Sequence, residues 1–230
     1  ERAQGLISSG FVKLNGKILA KSSVKVSDVD LLEIIGEDLP FVSRGGFKLE
    51  KAINEFGVEL EGKICMDIGA STGGFTDCML TNGASKVYAI DVGYGQLAWK
   101  LRCDERVVNL ERTNFRYLTK ETVTEEIDFA SIDVSFISLK KILPVLFDFL
   151  KNNGQTVALI KPQFEAGKEN VGKKGVVREP QTHIEVLDDF VALTKELEFT
   201  ILGLTFSPVK GPEGNIEFLA HLTLEDKPGI

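Results

Sequence analysis

The segment Ile64-Cys65-Met66-Asp67-Ile68-Gly69-Ala70-Ser71-Thr72-Gly73-Gly74-Phe75-Thr76-Asp77 constrains the fold of this chain more than any other. An apolar run ends in Asp-Ile-Gly, passes through small residues and enters a helical pattern. A buried strand that hands over to a helix in this way belongs to an α/β sheet, and glycines let the backbone turn sharply and a ligand approach closely. The dinucleotide spacing G-x-G-x-x-G is absent. The spacing here is G-x-x-x-G-G with Asp67 just before it. This variant suits S-adenosylmethionine (SAM) better than a pyrophosphate, because SAM carries an amino-acid moiety and a sulfonium in place of phosphate. Asp67, Gly69, Ala70, Ser71, Thr72, Gly73, Gly74 and Phe75 are therefore candidate cofactor contacts. A glycine-rich turn that only packs strand on helix is the competing reading.

From Lys63 onward strand and helix patterns alternate. Strands are predicted near 64–68, 86–91, 106–110, 128–132, 155–160, 199–206 and 216–222, and helices near 73–82, 95–102, 138–150 and 182–197. Alternation of this kind implies a parallel sheet covered on both faces. Lys210-Gly211-Pro212-Glu213-Gly214-Asn215 is too short for a helical crossover, so the last two strands form an antiparallel hairpin at the sheet edge. The expected fold is α/β, a Rossmann-like sheet of the SAM-dependent methyltransferase kind with an antiparallel last strand.

Residues 1 to about 36 read differently. The helical pattern Glu1 to Ile7 leads to a strand at Phe11-Val12-Lys13-Leu14, and Asn15-Gly16 is a strong hairpin signal. Because the chain opens inside a helical pattern, a natural N-terminal piece is expected to be missing. Residues 1–27 carry five cations, including Arg2, Lys13 and Lys17, against the single acid Glu1. A small basic unit of this kind points to RNA, although a solvated lysine face has the same composition. Residues 37–47 form a turn-rich linker, and a helix follows from about Phe47 to Phe56.

The whole chain of 230 residues has a net charge of -7, which argues against a uniformly cationic nucleic-acid protein but allows a local basic face. Cys65, Cys78 and Cys103 lack metal-ligand spacing, as do His183 and His221, so no metal is expected. Unclustered cysteines and the lack of a signal peptide or membrane-length run fit a cytoplasmic protein.

Charged residues follow several strands. Asp91, about 20 residues past the glycine loop, can accept hydrogen bonds from ribose hydroxyls; Val92 follows it. Asn114 can meet an adenine edge or simply form a turn. Asp133 and Lys161 end two further strands, at the side of the sheet where ligands bind.

Ser43-Arg44-Gly45-Gly46-Phe47-Lys48-Leu49, the glycine loop, Asp-Val-Gly-Tyr-Gly-Gln-Leu (91–97), Ile-Asp-Val-Ser-Phe-Ile-Ser (132–138), Lys-Pro-Gln-Phe-Glu (161–165) and Lys-Gly-Pro-Glu-Gly-Asn-Ile-Glu-Phe (210–218) together resemble the hemolysin A family, also called TlyA. The resemblance covers essentially the whole chain. It implies a truncated S4-like α+β RNA-binding domain over residues 1–40, linker included, and an FtsJ-like methyltransferase domain over 41–230. It further implies a catalytic tetrad of Lys48, Asp133, Lys161 and Glu217, SAM as cofactor with Asp133 also beside it, and ribosomal RNA or a ribosomal subunit as partner.

The implied reaction is ribose 2′-O-methylation of ribosomal RNA. A ribose hydroxyl is a very weak acid and must lose its proton as it attacks a methyl group. Lys161 is the candidate base, and only as a neutral amine, a form that burial and a second ammonium favour and nearby carboxylates oppose. Alternatively Lys161 steers the hydroxyl, and alignment supplies most of the acceleration. The segment 166–178 reads as a mobile flap over RNA, with Lys168, Lys173, Lys174 and Arg178 meeting phosphates and Arg44 adding to them. Two rival classes are a membrane-active hemolysin, for which no spanning or strongly amphipathic cationic helix is visible, and a non-catalytic RNA-binding module on the same fold.

Overall fold

The computed structural model describes residues 2–8, 10–35 and 40–225. A helix α1 (Arg2–Ser8) precedes a three-stranded antiparallel sheet of β1 (Val12–Leu14), β2 (Lys17–Ile18) and β3 (Leu32–Ile34), in the order β2-β1-β3. Asn15 and Gly16 both have positive φ, 51° and 77°, as a two-residue hairpin turn requires. The Asn15 side chain accepts the Leu31 N–H at 2.8 Å and donates to Asp30 at 2.7 Å, which ties β3 to the turn.

After α2 (Gly46–Phe56) the large sheet is built by β4 (Ile64–Ile68), α3 (Gly74–Thr81), β5 (Lys86–Ile90), α4 (Trp99–Arg102), β6 (Val107–Leu110), β7 (Ile127–Ile132), α5 (Leu143–Phe149), β8 (Leu150–Ile160), α6 (Pro162–Glu165), α7 (Pro180–Glu196), β9 (Thr200–Phe206) and β10 (Phe218–Leu224). Its strand order is β6-β5-β4-β7-β8-β10-β9. The strands from β6 to β8 in that order are parallel, and β10 is antiparallel to both of its neighbours. The edge strand is thus β9, and the last strand lies inside the sheet. The order reverses between β4 and β7, and a ligand crevice opens at the carboxyl ends of strands around such a switch point.

Side chains alternate across each strand, so the two faces carry different cores. Met66, Ile68, Ile90 and Ile132 pack with α5 and α7, whereas Cys65, Val87, Phe129 and Val157 pack under α2 and α3. Burial pushes the Cys65 thiol up to about 12, which suits an inert packing residue.

Two helices are shorter than their patterns predict. The 95–102 stretch is helical only over Trp99–Arg102. The 138–150 stretch is a 3-10 turn at Leu139–Lys141 and then α5, which ends where Leu150 turns extended (φ −66°, ψ 140°) and opens β8. In the second stretch the hydrophobic run continues past the helix because Leu150 is buried in the next element, and a helical period cannot separate the two uses.

Candidate active site

The four residues of the expected tetrad come from four different elements. Lys48 lies on α2, Asp133 follows β7, Lys161 follows β8, and Glu217 immediately precedes β10 rather than lying within it. Their side chains form one connected chain. Lys48 Nζ donates to Glu217 Oε2 at 2.9 Å and stands 3.9 Å from Asp133 Oδ2. Lys161 Nζ lies 2.5 Å from Asp133 Oδ1 and donates to Ser135 Oγ at 3.1 Å. At the other end Gln163 Nε2 donates to Glu217 Oε1 at 2.9 Å.

Burial and charge act against each other here. Burial would depress Lys48, but the charges of Asp133 and Glu217 and the hydrogen bond that Lys48 donates to Glu217 outweigh it and leave the group raised. Burial would raise Asp133, but Lys161 and Lys48 hold its carboxyl below the usual range. Both groups therefore stay charged near neutrality.

Two cavities meet at this chain, and Asp133, Gly69 and Ser71 line both. One, of about 450 Å³, is bounded by Arg44, Lys48, Ala70, Thr72, Gly74, Phe75 and the 209–213 loop, with Ile7, Gly10, Ile18 and Ala20 contributed by the N-terminal segment. The other, of about 540 Å³, is bounded by Ile68, Ile90, Asp91, Val92, Asn114, Phe115, Ser135 and Phe136 among others. Gly69 has φ +88°, and a Cβ there would lie 2.3 Å from the Asp133 carbonyl oxygen. Only glycine allows the loop to pass this close to the end of β7.

Asp91 accepts the Ser71 N–H at 2.8 Å and the Gly93 N–H at 2.7 Å, so its carboxylate is fixed at the rim of the second cavity. Asn114 forms the turn and also borders the second cavity. Its Oδ1 accepts the Arg116 N–H at 3.2 Å and caps the turn Phe115–Tyr117. Apolar side chains, the Asp91 carboxylate and the glycine turn thus line the space that leads to the lysine–carboxylate chain.

Two expected cofactor contacts fall elsewhere. Asp67 lines neither cavity. Its side chain points between the sheet and α3, where it is fully buried and accepts hydrogen bonds from Thr76 Oγ1 at 2.7 Å and Ser131 Oγ at 3.1 Å. Strand alternation explains this, since Asp67 shares the face of Cys65. Burial there, only partly offset by the two hydroxyls, pushes its carboxyl up to about 7. Gly73 also lines neither cavity, because α4 and the loop before it cover it. A Cβ at Gly73 would meet Leu101 at 2.2 Å and Leu97 at 2.8 Å.

The expected RNA contacts are dispersed. Arg44 lines the first cavity, and Lys17, Lys168, Lys173, Lys174 and Arg178 are exposed, with Lys13 half-buried. The side chain of Arg2 lies outside the described residues. The expected mobile flap is anchored at one point, where Val176 and Val177 are buried. His183 is buried in the first turn of α7, and His221 lies in β10, stacked on Phe56 with ring centroids 5.4 Å apart.

Sequence reasoning did not single out Ser135 or Gln163. Each sits two residues past a strand-end charge, inside a motif already noted, and such a position returns a polar group to the same site. Phe136 was also passed over. It is 90% exposed at φ +63° on the rim of the second cavity, 4.9 Å from Phe164 between ring centroids.

The pattern of the FtsJ-like methyltransferases matches residues 41–224. The chain belongs to the FtsJ-like methyltransferase family. It is 46% identical over 224 residues to hemolysin A of Brachyspira hyodysenteriae, covering 97% of this chain and 93% of that one. It is 43% identical over 223 residues to the 16S/23S rRNA (cytidine-2′-O)-methyltransferase TlyA of Mycobacterium tuberculosis, covering 96% and 83%. A solved hemolysin candidate from Streptococcus thermophilus superposes with a TM-score of 0.83 at 51% identity, covering 99% of this chain and 83% of that one. SAM is the cofactor that FtsJ-like methyltransferases use, and the cavity lining fits it. No helix among the described residues is long and apolar enough to cross a membrane.

Proposed function

We propose that this chain is a SAM-dependent ribose 2′-O-methyltransferase of ribosomal RNA, working in the cytoplasm. The observation that best supports this reading is the convergence of Lys48, Asp133, Lys161 and Glu217 in one hydrogen-bonded chain where the two cavities join. The TlyA relative, named for cytidine 2′-O-methylation, supports the choice of substrate.

When bound, SAM supplies an electrophilic methyl group on a sulfonium. In this reading Asp91 holds the ribose hydroxyls of the cofactor, and Ile68, Ile90 and Phe115 flank its base. Asp133 faces the sulfonium side. Lys161, as the neutral amine left once its ammonium proton has gone to solvent, takes up the proton of the target nucleotide's 2′-hydroxyl as that oxygen bonds to the methyl carbon. The sulfur–methyl bond breaks in the same step, and its electron pair stays on sulfur, which leaves as a neutral thioether. Asp133 and Ser135 aim Lys161, and Lys48, fixed by Glu217, aims Asp133. Positioning of this kind accounts for a large share of the rate, because the attacking oxygen must line up with the bond being broken.

Residues 1–40 act as an S4-like unit that docks structured RNA through the RNA backbone. Arg44, with Lys168, Lys173, Lys174 and Arg178, continues the phosphate contacts around the cleft. Transfer of labelled methyl from SAM to ribosomal RNA, with the modified ribose mapped by chemical probing, tests the reading. Failure of the wild-type protein to label ribosomal RNA at a ribose 2′ position would refute it.

A further inference from the structure

Asn215 belongs to no helix or strand, yet it is only 3% exposed. Its side chain is fully engaged with two loops. Oδ1 accepts the Val177 N–H at 3.1 Å, and Nδ2 donates to the carbonyls of Gly175 at 2.9 Å and Pro212 at 3.0 Å. Its backbone closes the second loop as well, accepting the Gly211 N–H at 2.9 Å and donating to Pro212 at 3.2 Å.

The first of these loops is the basic segment 166–178. The Gly172 N–H donates to the Val176 carbonyl at 3.0 Å, and Val176 and Val177 are buried at its root. Lys173, Lys174 and Arg178 stand in solvent around that root. The second loop, 209–213, lines the cavity shared with Lys48 and Asp133. It is packed against Glu217 so closely that a Cβ on Gly211 would lie 2.1 Å from Glu217 Oε1. Glu217 in turn holds Lys48.

We infer that Asn215 is a positioning residue that ties the cationic segment to the Glu217–Lys48 pair, so that RNA engagement and the alignment of the reacting lysines are set together. This rests on the reading of the chain as an RNA methyltransferase. A buried amide that spends two donors and an acceptor on separate backbone segments cannot be removed without leaving those groups unpaired, and the segments then separate locally.

The test uses the full chain with Asn215→Ala and Asn215→Asp, the second keeping an acceptor for Val177 in case the first does not fold. Tryptic cleavage after Lys173, Lys174 and Arg178, measured without SAM or RNA, is expected to quicken about tenfold in either folded variant. The KM for ribosomal RNA is expected to rise about tenfold and kcat to fall, while calorimetric SAM affinity stays within about twofold. Replacing Lys173 and Lys174 by glutamine should then cost less in the Asn215→Ala background than in wild type. Unchanged tryptic rates in a folded variant, or strictly additive kinetic effects, would overturn the tie. The tryptic readout needs no methyl transfer, so failure of the tie and failure of the methyltransferase reading are separate results.

Discussion

The two lysines of the site are held in opposite ways. Lys48 is locked to Glu217, whose side chain is 0% exposed and whose second oxygen is taken by Gln163. Lys161 is paired with Asp133, whose side chain is 22% exposed and which lines both cavities, and with the exposed Ser135. The carboxylate of one arm is sealed and that of the other faces both cavities, while the two lysines are similarly buried, Lys48 bordering the first cavity and Lys161 neither. Ion pairs of the same composition thus take different roles through access alone. The sealed arm fixes geometry and resists disruption, and the open arm is free to exchange its partner for a hydroxyl.

The largest effect follows from the open arm. Lys161→Ala should lower methyl transfer by about 10³-fold, within the range for loss of a proton-transfer group, while costing less stability than the change on the sealed arm. Methyl incorporation and calorimetry on one preparation check both halves. On the sealed arm, Glu217→Ala strands a buried ammonium and should cost about 3–5 kcal/mol of stability as well as activity, whereas Glu217→Gln should cost less. If Lys161→Ala unfolded the protein and Glu217→Ala spared it, the contrast would be inverted.

A third prediction compares two carboxylates. Asp133 is held low by Lys161 and Lys48, which override its burial, so its stabilising contribution is present above the unfolded value of about 3.9 and is lost as pH falls through the folded value. Asp67 is the reverse case, pushed up to about 7 by burial with only hydroxyls to help it. Its folded state holds the proton more tightly, so it destabilises increasingly from about pH 4 to about pH 7 and by a constant amount above. Asp67→Asn should therefore be more stable than wild type at pH 8, by a few kcal/mol at most on the order of that shift, with the gain vanishing near pH 4. Asp133→Asn should be less stable than wild type from pH 5 to 9, with the gap closing below about pH 4. Denaturant titrations at stepped pH read both, and parallel curves would remove the distinction.

The succession of strands along the chain and the strand-end charges were legible because a parallel sheet leaves a plain signature, apolar runs that stop at a charge or a glycine. Lys161 is the clear example, an exposed-type residue directly after Val157 to Ile160. Asp67 misled because it sits next to the glycine turn in sequence, and only the alternation of the strand shows that it points under α3. Gly73 misled for a similar reason, since the leucines that cover it lie more than twenty residues on. Ser135, Gln163 and Asn215 were not legible as partners because each takes its meaning from a contact with a distant element. Gln163 reaches Glu217 across 54 residues and Asn215 reaches Val177 across 38. No local pattern encodes such pairs.

The smallest effect extends the open-versus-sealed contrast to the N-terminal unit. Its short strands expose Leu32, Ile34 and Lys17 and half-bury Lys13, and among the described residues neither cation forms an ion pair like that of Lys48. A cation of this kind acts on RNA through counterion release, which is long-ranged and insensitive to sequence. Each lysine that neutralises a phosphate should contribute about 0.7–0.9 to the slope of log affinity against log salt. Lys17→Gln should therefore weaken RNA binding several-fold at low salt and flatten that slope by somewhat under one, with kcat untouched at saturating RNA. Lys13→Gln should do less, because that residue is already half-buried. Filter binding across a salt series measures the slope directly. A full slope in Lys17→Gln would mean that this unit does not touch the phosphate backbone, and RNA engagement would then fall to Arg44 and the segment that Asn215 anchors.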